Sequence, residues 1–217
     1  MDGRNPLVAD LLALPLERLE VADYGCGPGN LIPHLAGREV RFVGVDASAA
    51  SVDIAAGVAE RHGVPFEGVC GDFRSVDLIR RFDVVVSVNS VLPPSRDDVV
   101  PLFAAMRRAL KPDGRLLAIL PSYDTTLYLR ELLGLAWAER HLCDDAQLLF
   151  ADDGVHQQAY HSPESIAEEL PRAGLRLERE PIKVRYPWEL TRRFDYGDFP
   201  DAPEEVWDWY VEAQIAP

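Results

Sequence analysis

Carboxylates that follow short apolar runs are the residues of this chain best placed to do chemistry. The segment VADYGCGPGN, residues 21–30, carries Asp23 near the end of such a run, followed by glycines at 25, 27 and 29. Asp46 ends the run VRFVGVD, and Asp72 stands in GDF. A glycine-rich turn can bring backbone N–H groups close to a ligand because no Cβ intervenes. The acids around the turn indicate which ligand it accepts.

The glycine turn does not match the common phosphate-binding patterns. It lacks the Gly-Lys-Ser/Thr ending of a P-loop, and a dinucleotide-binding turn would need a glycine where Asn30 stands. No Lys or Arg lies in the turn, although backbone groups alone can hold a pyrophosphate. Asp23 would repel a phosphate and would suit an amine or a cation.

Two further acids extend this description of the ligand. Asp46 ends the second expected strand, where a carboxylate can accept both hydroxyls of a ribose, as it does in dinucleotide sites. Asp72 could accept from the amino group of an adenine, with Phe73 against the ring. Together these positions describe a ligand with an amine or cation, a ribose and a base, and without a phosphate.

The composition limits the classes of partner. The 217 residues are 47% apolar, enough for one domain with a full core. A net charge of −14 without a basic cluster disfavours nucleic acid and anionic membranes. No apolar run approaches the roughly 18 residues of a membrane span and no signal sequence is evident, so we expect a cytoplasmic protein. The three cysteines form no CxxC pair, and His156 and His161 would face opposite sides of a strand, so we expect no metal.

Apolar runs alternate with helical patterns along the first 121 residues. The expected strands are 19–24, 40–46, 65–72, 82–88 and 115–121, and the expected helices are 6–14, 47–63 and 95–114. Ser48 is the expected N-cap of the second helix and Gly63 its stop. This alternation predicts a parallel sheet covered by helices, with ligands at the carboxyl ends of the strands. The glycine turn, Asp46, Asp72 and Asn89 all fall at such ends.

The remaining residues show a different pattern. Helices are expected at 124–142 and 163–174, and strands within 154–162 and at 175–188. Residues 206–216 fit a last strand or a terminal helix, and on a strand Trp207 and Trp209 would share one face and fill core.

The ordered motifs resemble those of class I S-adenosylmethionine-dependent methyltransferases of the small-molecule type. VADYGCGPGN is similar to the first motif of that family, FVGVDAS to its ribose-binding motif and GDF to its adenine motif. FDVVVSVNSVLPP and MRRALKPDGRLLAILPS resemble its fourth strand, the following helix and its fifth strand. The likeness is good over residues 19–122 and looser beyond them.

The resemblance implies a fold, a cofactor and a domain layout. The fold would be α/β, Rossmann-like and doubly wound, with a mostly parallel seven-stranded sheet, an antiparallel last strand and helices on both faces. The cofactor would be S-adenosyl-L-methionine and the partner a small-molecule substrate, in a monomer or a homodimer. Residues 1–217 would form one domain, with a core at 19–122, a lid or substrate insertion at 122–150 and a C-terminal αβ portion at 155–217.

The resemblance also implies which residues contact the cofactor. Those beside the methionine moiety would be Asp23, at the amino group, and the backbone of Gly25, Cys26 and Gly27. Those beside the ribose and adenine would be Asp46, Ala47, Asp72 and Phe73. Asn89 would lie near the methionine end or the substrate.

The chain departs from the family on the substrate side. Many relatives carry a histidine pair or an aromatic residue where Pro93 and Pro94 stand, so a general base often found there is missing. The catalytic candidates are Asn89, Tyr123 and His141. Methyl transfer from a sulfonium depends mainly on holding the nucleophile about 3–3.5 Å from the methyl group, so some acceptors need little help from a base. The expected function is methyl transfer to a small molecule. The alternatives are a non-methylating use of the cofactor, a non-catalytic scaffold subunit and a nicotinamide oxidoreductase.

Overall fold

The structure, a computed structural model, describes residues 5–133, 142–143, 147–150, 156–186 and 206–217. The helices are α1 (Pro6–Leu12), α2 (Ala49–His62), α3 (Val99–Ala109), α4 (Tyr123–Leu133) and α5 (Pro163–Arg172). The first strands are β1 (Glu20–Tyr24), β2 (Arg41–Asp46), β3 (Phe66–Cys70), β4 (Phe82–Val88) and β5 (Leu110–Leu120). The later strands are β6 (Leu142–Cys143), β7 (Leu148–Phe150), β8 (Gln157–Ala159), β9 (Leu175–Leu177), β10 (Ile182–Tyr186) and β11 (Val206–Ile215).

The main sheet has the order β10-β11-β5-β4-β1-β2-β3, with β9 paired to the far end of β11. Strands β1 to β5 are parallel, and β11 runs antiparallel to β5 and β10. Strands β9 and β10 therefore share one edge position, which gives seven positions in all. The predicted doubly wound, mostly parallel sheet with an antiparallel last strand is confirmed. Because β1 lies between β2 and β4, the winding reverses there, and the carboxyl end of β1 is a switch point.

Both faces of the sheet are covered by helices because both faces of its central strands are apolar. On one face, Val84 and Val86 pack with the apolar side of α1 and with small residues of α2. On the other, Val85 packs with α3 and α5. Phe103 of α3 is fully buried there, which stabilises the fold by roughly 1.5–3 kcal/mol relative to an exposed side chain. The Trp207 and Trp209 side chains also belong to this second core, as the alternation of residues 206–216 predicts.

Two boundaries differ from the prediction. The helix expected at 95–114 ends at Ala109, and Leu110 is already extended and paired with Phe82. The pairing then jumps to Val84 with Arg115, so the Lys-Pro-Asp-Gly segment is a bulge in β5 rather than a turn after a helix. Pro112 has no N–H for a helix and disfavours helical backbone at the residue before it, which ends α3 early.

The C-terminal half confirms some expectations and refines others. Residues 206–215 form strand β11, and the alternative of a terminal helix is wrong. The strand expected at 175–188 is divided into β9 and β10. Strands β6, β7 and β8 form a separate antiparallel sheet. The assignment of 122–150 as a lid stays a prediction, and much of that range lies outside the described residues.

Candidate functional site

The first backbone N–H groups of the glycine turn donate hydrogen bonds to other atoms of the protein. Those of Gly25 and Cys26 both donate to the carbonyl oxygen of Val45, at 2.7 and 3.1 Å. The N–H of Gly27 donates to Asp46 Oδ2 at 2.9 Å. Phosphate-binding turns present free backbone donors to the anion, and here these three donors are already paired. The turn is therefore built to fix the end of β1 against β2, with a carboxylate where a phosphate would need positive charge.

Two glycines of the turn are required for different reasons. Gly25 has φ +85°, and a Cβ there would come within 2.1 Å of Ser90 Cβ, so the backbone packs directly against the residues after β4. Gly27 has φ +49°, but a Cβ there would have no described atom within 4 Å. The outer side of Gly27 thus faces space in which a ligand can lie against bare backbone.

Asp23 is a buried carboxylate with an unused acceptor. The residue is 4% exposed, and its Oδ1 is buried without a hydrogen bond from any described residue. Burial first, and then the nearby charge of Asp46, raise the pKa of Asp23 from 3.8 to about 7. A buried oxygen of this kind is costly unless something donates to it. An amine on a ligand would satisfy it, as the sequence predicts.

Asp46 fixes the turn and keeps capacity for a ligand. Its Oδ2 accepts from Gly27 N–H and its Oδ1 from Ser48 N–H, both at 2.9 Å. Each carboxylate oxygen can accept two hydrogen bonds, so one position remains on each oxygen for a pair of hydroxyls. Ser48 caps α2 by accepting from Ser51 N–H, which confirms the predicted N-cap. Ala47, between the two, is exposed beside this carboxylate.

The residues expected at the adenine are held more tightly than the sequence suggests. Arg74 binds the carboxylate of Asp72 at 2.7 Å and reaches Asp98 at 2.9 Å. These hydrogen bonds lower the pKa of Asp72, so it stays ionised. Phe73 is 9% exposed, and its ring meets the ring of Tyr24 edge-on with centroids 5.2 Å apart. Phe73 therefore contributes to the core next to the turn, and contact with an adenine by either Asp72 or Phe73 stays a prediction.

Cys26 points away from the open side of the turn. Its side chain is buried, and a Cβ on Gly44 would come within 2.9 Å of its sulfur. Burial, with the charges of Asp23 and Asp46, raises the pKa of the Cys26 thiol to about 12. The thiol is therefore protonated at neutral pH, and only the backbone of Cys26 is available to a ligand.

Comparison with known proteins shows which families and structures this chain resembles. Residues 21–114 match a protein family described as a methyltransferase domain. The trans-aconitate 2-methyltransferase of Streptomyces avermitilis is 29% identical over 230 aligned positions, which cover 100% of this chain and 76% of that protein. A ubiquinone biosynthesis O-methyltransferase of Cereibacter sphaeroides is 25% identical, over 83% of this chain and 71% of that one. A SAM-dependent methyltransferase structure from Methanosarcina mazei superposes with a TM-score of 0.74 at 16% identity, covering 97% of each chain. The chain contains a methyltransferase domain and is similar along its length to S-adenosylmethionine-dependent methyltransferases.

The cofactor of this methyltransferase is S-adenosylmethionine, and the residues present fit it. A buried, unpartnered carboxylate oxygen on Asp23 suits its amino group. The remaining acceptor positions of Asp46 suit its ribose hydroxyls, and the bare backbone at Gly27 leaves room for the part of the cofactor that lies along the turn. The lack of a free anion cradle at the turn agrees with a cofactor that has no phosphate.

The structure describes two of the three catalytic candidates of the methyltransferase. Asn89 follows β4 in a left-handed conformation, φ +49°, and its Nδ2 donates to Asp208 Oδ2 at 2.9 Å. Tyr123 begins α4, and its N–H donates to the carbonyl oxygen of His161 at 2.7 Å. Asn89 follows the carboxyl end of β4, the neighbour of β1, and Tyr123 follows the end of β5, one strand further from the turn. His141 lies outside the described residues.

Sequence reasoning missed the carboxylate of Asp208. It stands in β11 between Trp207 and Trp209, and it accepts from Asn89 and Tyr186. A single acid inside the otherwise apolar run VWDWYV was the available signal. Its partners could not be inferred, because Asn89 is 119 positions away in the chain.

The opposite edge of the sheet carries a groove of about 460 Å³ with charged walls. Glu20 and Arg41, which begin β1 and β2, line it, so it lies at the amino ends of the strands. Ligands of such sheets bind at the carboxyl ends, and the groove is not part of the candidate site. In the described part of the chain, no helix is long and apolar enough to cross a bilayer. The same residues contain no group of three or more His, Cys, Asp or Glu that could hold a metal ion.

Proposed function

We propose that this methyltransferase moves the methyl group of S-adenosylmethionine to a small-molecule acceptor, with the cofactor held along the glycine turn by Asp23 and Asp46. The observation that carries the proposal is the unpartnered, buried Oδ1 of Asp23, in a carboxylate that feels the charge of Asp46, the acid that holds Gly27 N–H. An anionic group at that place would be repelled by the carboxylate, whereas an ammonium group both donates a hydrogen bond to it and neutralises its charge.

Each residue of the site has a separate task. Asp23 accepts from the amino group of the cofactor, and Asp46 accepts from its ribose hydroxyls while holding Gly27 N–H in place. Asn89 and Tyr123, past the ends of β4 and β5, stand where the acceptor must approach. When bound, S-adenosylmethionine supplies a methyl group already activated by its positive sulfur. The protein therefore contributes mainly orientation and exclusion of water, and a strong base is needed only for acceptors protonated at the working pH.

The acceptor must be inferred from this chain itself. The relatives above are named for trans-aconitate and for ubiquinone biosynthesis, which are different acceptors. Asp23 and Asp46 stand at the turn and Asp208 at the same end of the sheet, and the cation Arg74 is already bound by Asp72 and Asp98. Such an edge favours an uncharged or cationic small molecule over a polycarboxylate.

A matched pair of glycine variants tests the position of the cofactor. Gly27→Ala and Gly37→Ala both place an alanine at positive φ, +49° and +73°, with no described atom within 4 Å of the new Cβ. Each should cost about 1–2 kcal/mol of stability from backbone strain. Calorimetric titration with S-adenosylhomocysteine should show micromolar binding by wild type and Gly37→Ala, and at least tenfold weaker binding by Gly27→Ala. NADH should not bind. Wild-type affinity in Gly27→Ala, or binding of NADH alone, would contradict the proposal.

Product analysis then tests the reaction. The enzyme is incubated with S-adenosylmethionine and a panel of small amines, phenols and thiols, and S-adenosylhomocysteine is measured. Methyl transfer must release it in equal amount to the methylated product. Turnover of the cofactor without this product would instead indicate non-methylating chemistry.

A further inference from the structure

Asp208 lies at the same edge of the sheet as the glycine turn. Strand β11 runs antiparallel to β5, and the pairing of Trp209 with Leu120 puts Asp208 level with the residues just past the end of β5. The N–H of Ser122 donates to Asp208 Oδ1 at 3.2 Å across that position. The carboxylate therefore stands where ligands of parallel sheets bind, although its own strand runs the other way.

Three donors converge on this carboxylate. Besides Ser122 N–H, the hydroxyl of Tyr186 donates to Asp208 Oδ2 at 2.6 Å and Asn89 Nδ2 donates to the same oxygen at 2.9 Å. Burial raises the pKa of Asp208, while these hydrogen bonds and the nearby His161 act to lower it. The contacts tie the ends of β4, β5, β10 and β11 into one polar cluster, made of Asn89, Ser122, Tyr186 and Asp208.

The cluster determines how the Asn89 side chain is turned. The Asp208 carboxylate accepts from Ser122 N–H on one oxygen and from Tyr186 on the other, so a reversed Asn89 amide would set an acceptor against Oδ2. Because Nδ2 donates to Asp208, the amide oxygen of Asn89 is not the atom that meets this carboxylate. Asn89 is exposed, and the next residue, Ser90, packs directly against Gly25. Asn89 therefore stands one residue from the contact with the glycine turn.

The charges at this edge indicate what could use that oxygen. The guanidinium of Arg74 is held by Asp72 and Asp98, and the ammonium of Lys183 lies 3.8 Å from the ring centroid of Trp207. These two cations are already engaged, while Asp23 and Asp46 offer acceptors at the turn. A hydrogen-bond donor fits among them, and a carboxylate does not.

We infer that Asp208 is a positioning residue, which holds the Asn89 amide oxygen toward the point of methyl transfer and so selects an acceptor that offers an N–H or O–H there. This inference rests on the proposed function, because it takes the glycine turn as the cofactor site. Asp208 itself need not touch the acceptor. It acts through Asn89, with Tyr186 donating to the same carboxylate oxygen and Ser122 N–H to the other.

The test uses a ligand with a hydrogen-bond donor at the point of methyl transfer, so the methyl acceptor need not be known. Sinefungin is a cofactor analogue with an amine-bearing carbon in place of the methylated sulfur. We expect wild type to bind sinefungin at least tenfold more tightly than S-adenosylhomocysteine. Asp208→Asn should reduce this preference to threefold or less while the affinity for S-adenosylhomocysteine changes less than twofold. Tyr186→Phe should reduce the preference by a smaller factor.

The matched control is Glu212→Gln. Glu212 lies on the same strand but pairs with Arg115, away from the cluster, and its loss should change neither affinity. Urea unfolding verifies that each variant is folded. If Asp208→Asn does not fold, the test is made with Tyr186→Phe. An unchanged preference in a folded variant, or an equal loss of both affinities, would overturn the positioning role. If wild type binds neither ligand, the proposed function itself is wrong, and the inference is lost with it.

Discussion

Replacing Asp23 with asparagine separates two effects of the buried carboxylate: its cost to the stability of the free protein and its contribution to cofactor binding. In the free protein the pKa of Asp23 is raised from 3.8 to about 7, by burial and then by Asp46. The folded state therefore holds this proton more tightly than the unfolded state, and stability falls as the pH rises from about 4 to 7. The difference corresponds to about 4 kcal/mol of unfolding free energy at pH 8.

Asparagine has nearly the same shape and does not ionise. Its NH₂ group would be buried without an acceptor, at a cost of about 1–3 kcal/mol at every pH. Asp23→Asn should therefore be more stable than wild type by about 1–3 kcal/mol at pH 8, without cofactor. Because wild type regains stability as Asp23 becomes protonated, the advantage should shrink by about 2–3 kcal/mol between pH 8 and pH 5. The change with pH does not depend on the cost of the buried amide.

Urea unfolding at pH 5, 6, 7 and 8 measures this difference, with Asp53→Asn on the exposed side of α2 as the control. Calorimetry supplies the second half of the prediction. Wild type should lose affinity for S-adenosylhomocysteine below about pH 7, by up to tenfold per pH unit, and Asp23→Asn should bind weakly at every pH. A difference in unfolding free energy that is the same at all four pH values would refute the reasoning, because it would mean that Asp23 ionises like an exposed aspartate.

Three further predictions concern other parts of the site and its support. Asp46→Ala should weaken cofactor binding by about 1–3 kcal/mol in calorimetry, since it removes acceptors for the ribose and for Gly27 N–H; an unchanged dissociation constant in the folded variant would remove Asp46 from the site. Iodoacetamide followed by peptide mass spectrometry should label exposed Cys70, at the end of β3 beside Asp46, but not buried Cys26, and S-adenosylhomocysteine should slow the labelling; equal rates with and without ligand would place the adenine elsewhere. His161→Ala should lower the unfolding free energy by about 2–4 kcal/mol, because the ring is fully buried and hydrogen-bonded at 2.9 Å to a backbone oxygen; a loss under 1 kcal/mol in urea would show that this core collapses around the gap.

The positions of the glycine turn and of Asp46 could be predicted because they depend on local signals. Asp46 lies at the end of its strand, and the glycines stand in the turn that follows β1, so each position follows from the order of apolar runs and turns. Their meeting at one edge follows from the parallel sheet. The N-cap at Ser48 was equally local, since a side chain next to its own helix decides it.

The acceptor side could not be predicted because it depends on distant pairing. Asp208 joins Asn89 and Tyr186 only once β11 has entered the sheet beside β5. The ion pair between Arg74 and Asp72 likewise depends on the conformation of a long side chain, which the residue types do not determine. The early end of α3 shows a third limit, because Pro112 stops the helix and the strand resumes in a bulge that apolar periodicity does not mark.

The edges of the sheet restrict how copies of this chain can associate. Strand β3 has five residues, and the other edge position is shared by β9, with three, and β10, with five. Charged side chains stand on both edges, with Glu67 on β3 and Lys183 and Arg185 on β10. Short, interrupted and charged edges resist the addition of a strand from another molecule. A homodimer joined through these edges into one continuous sheet is therefore disfavoured.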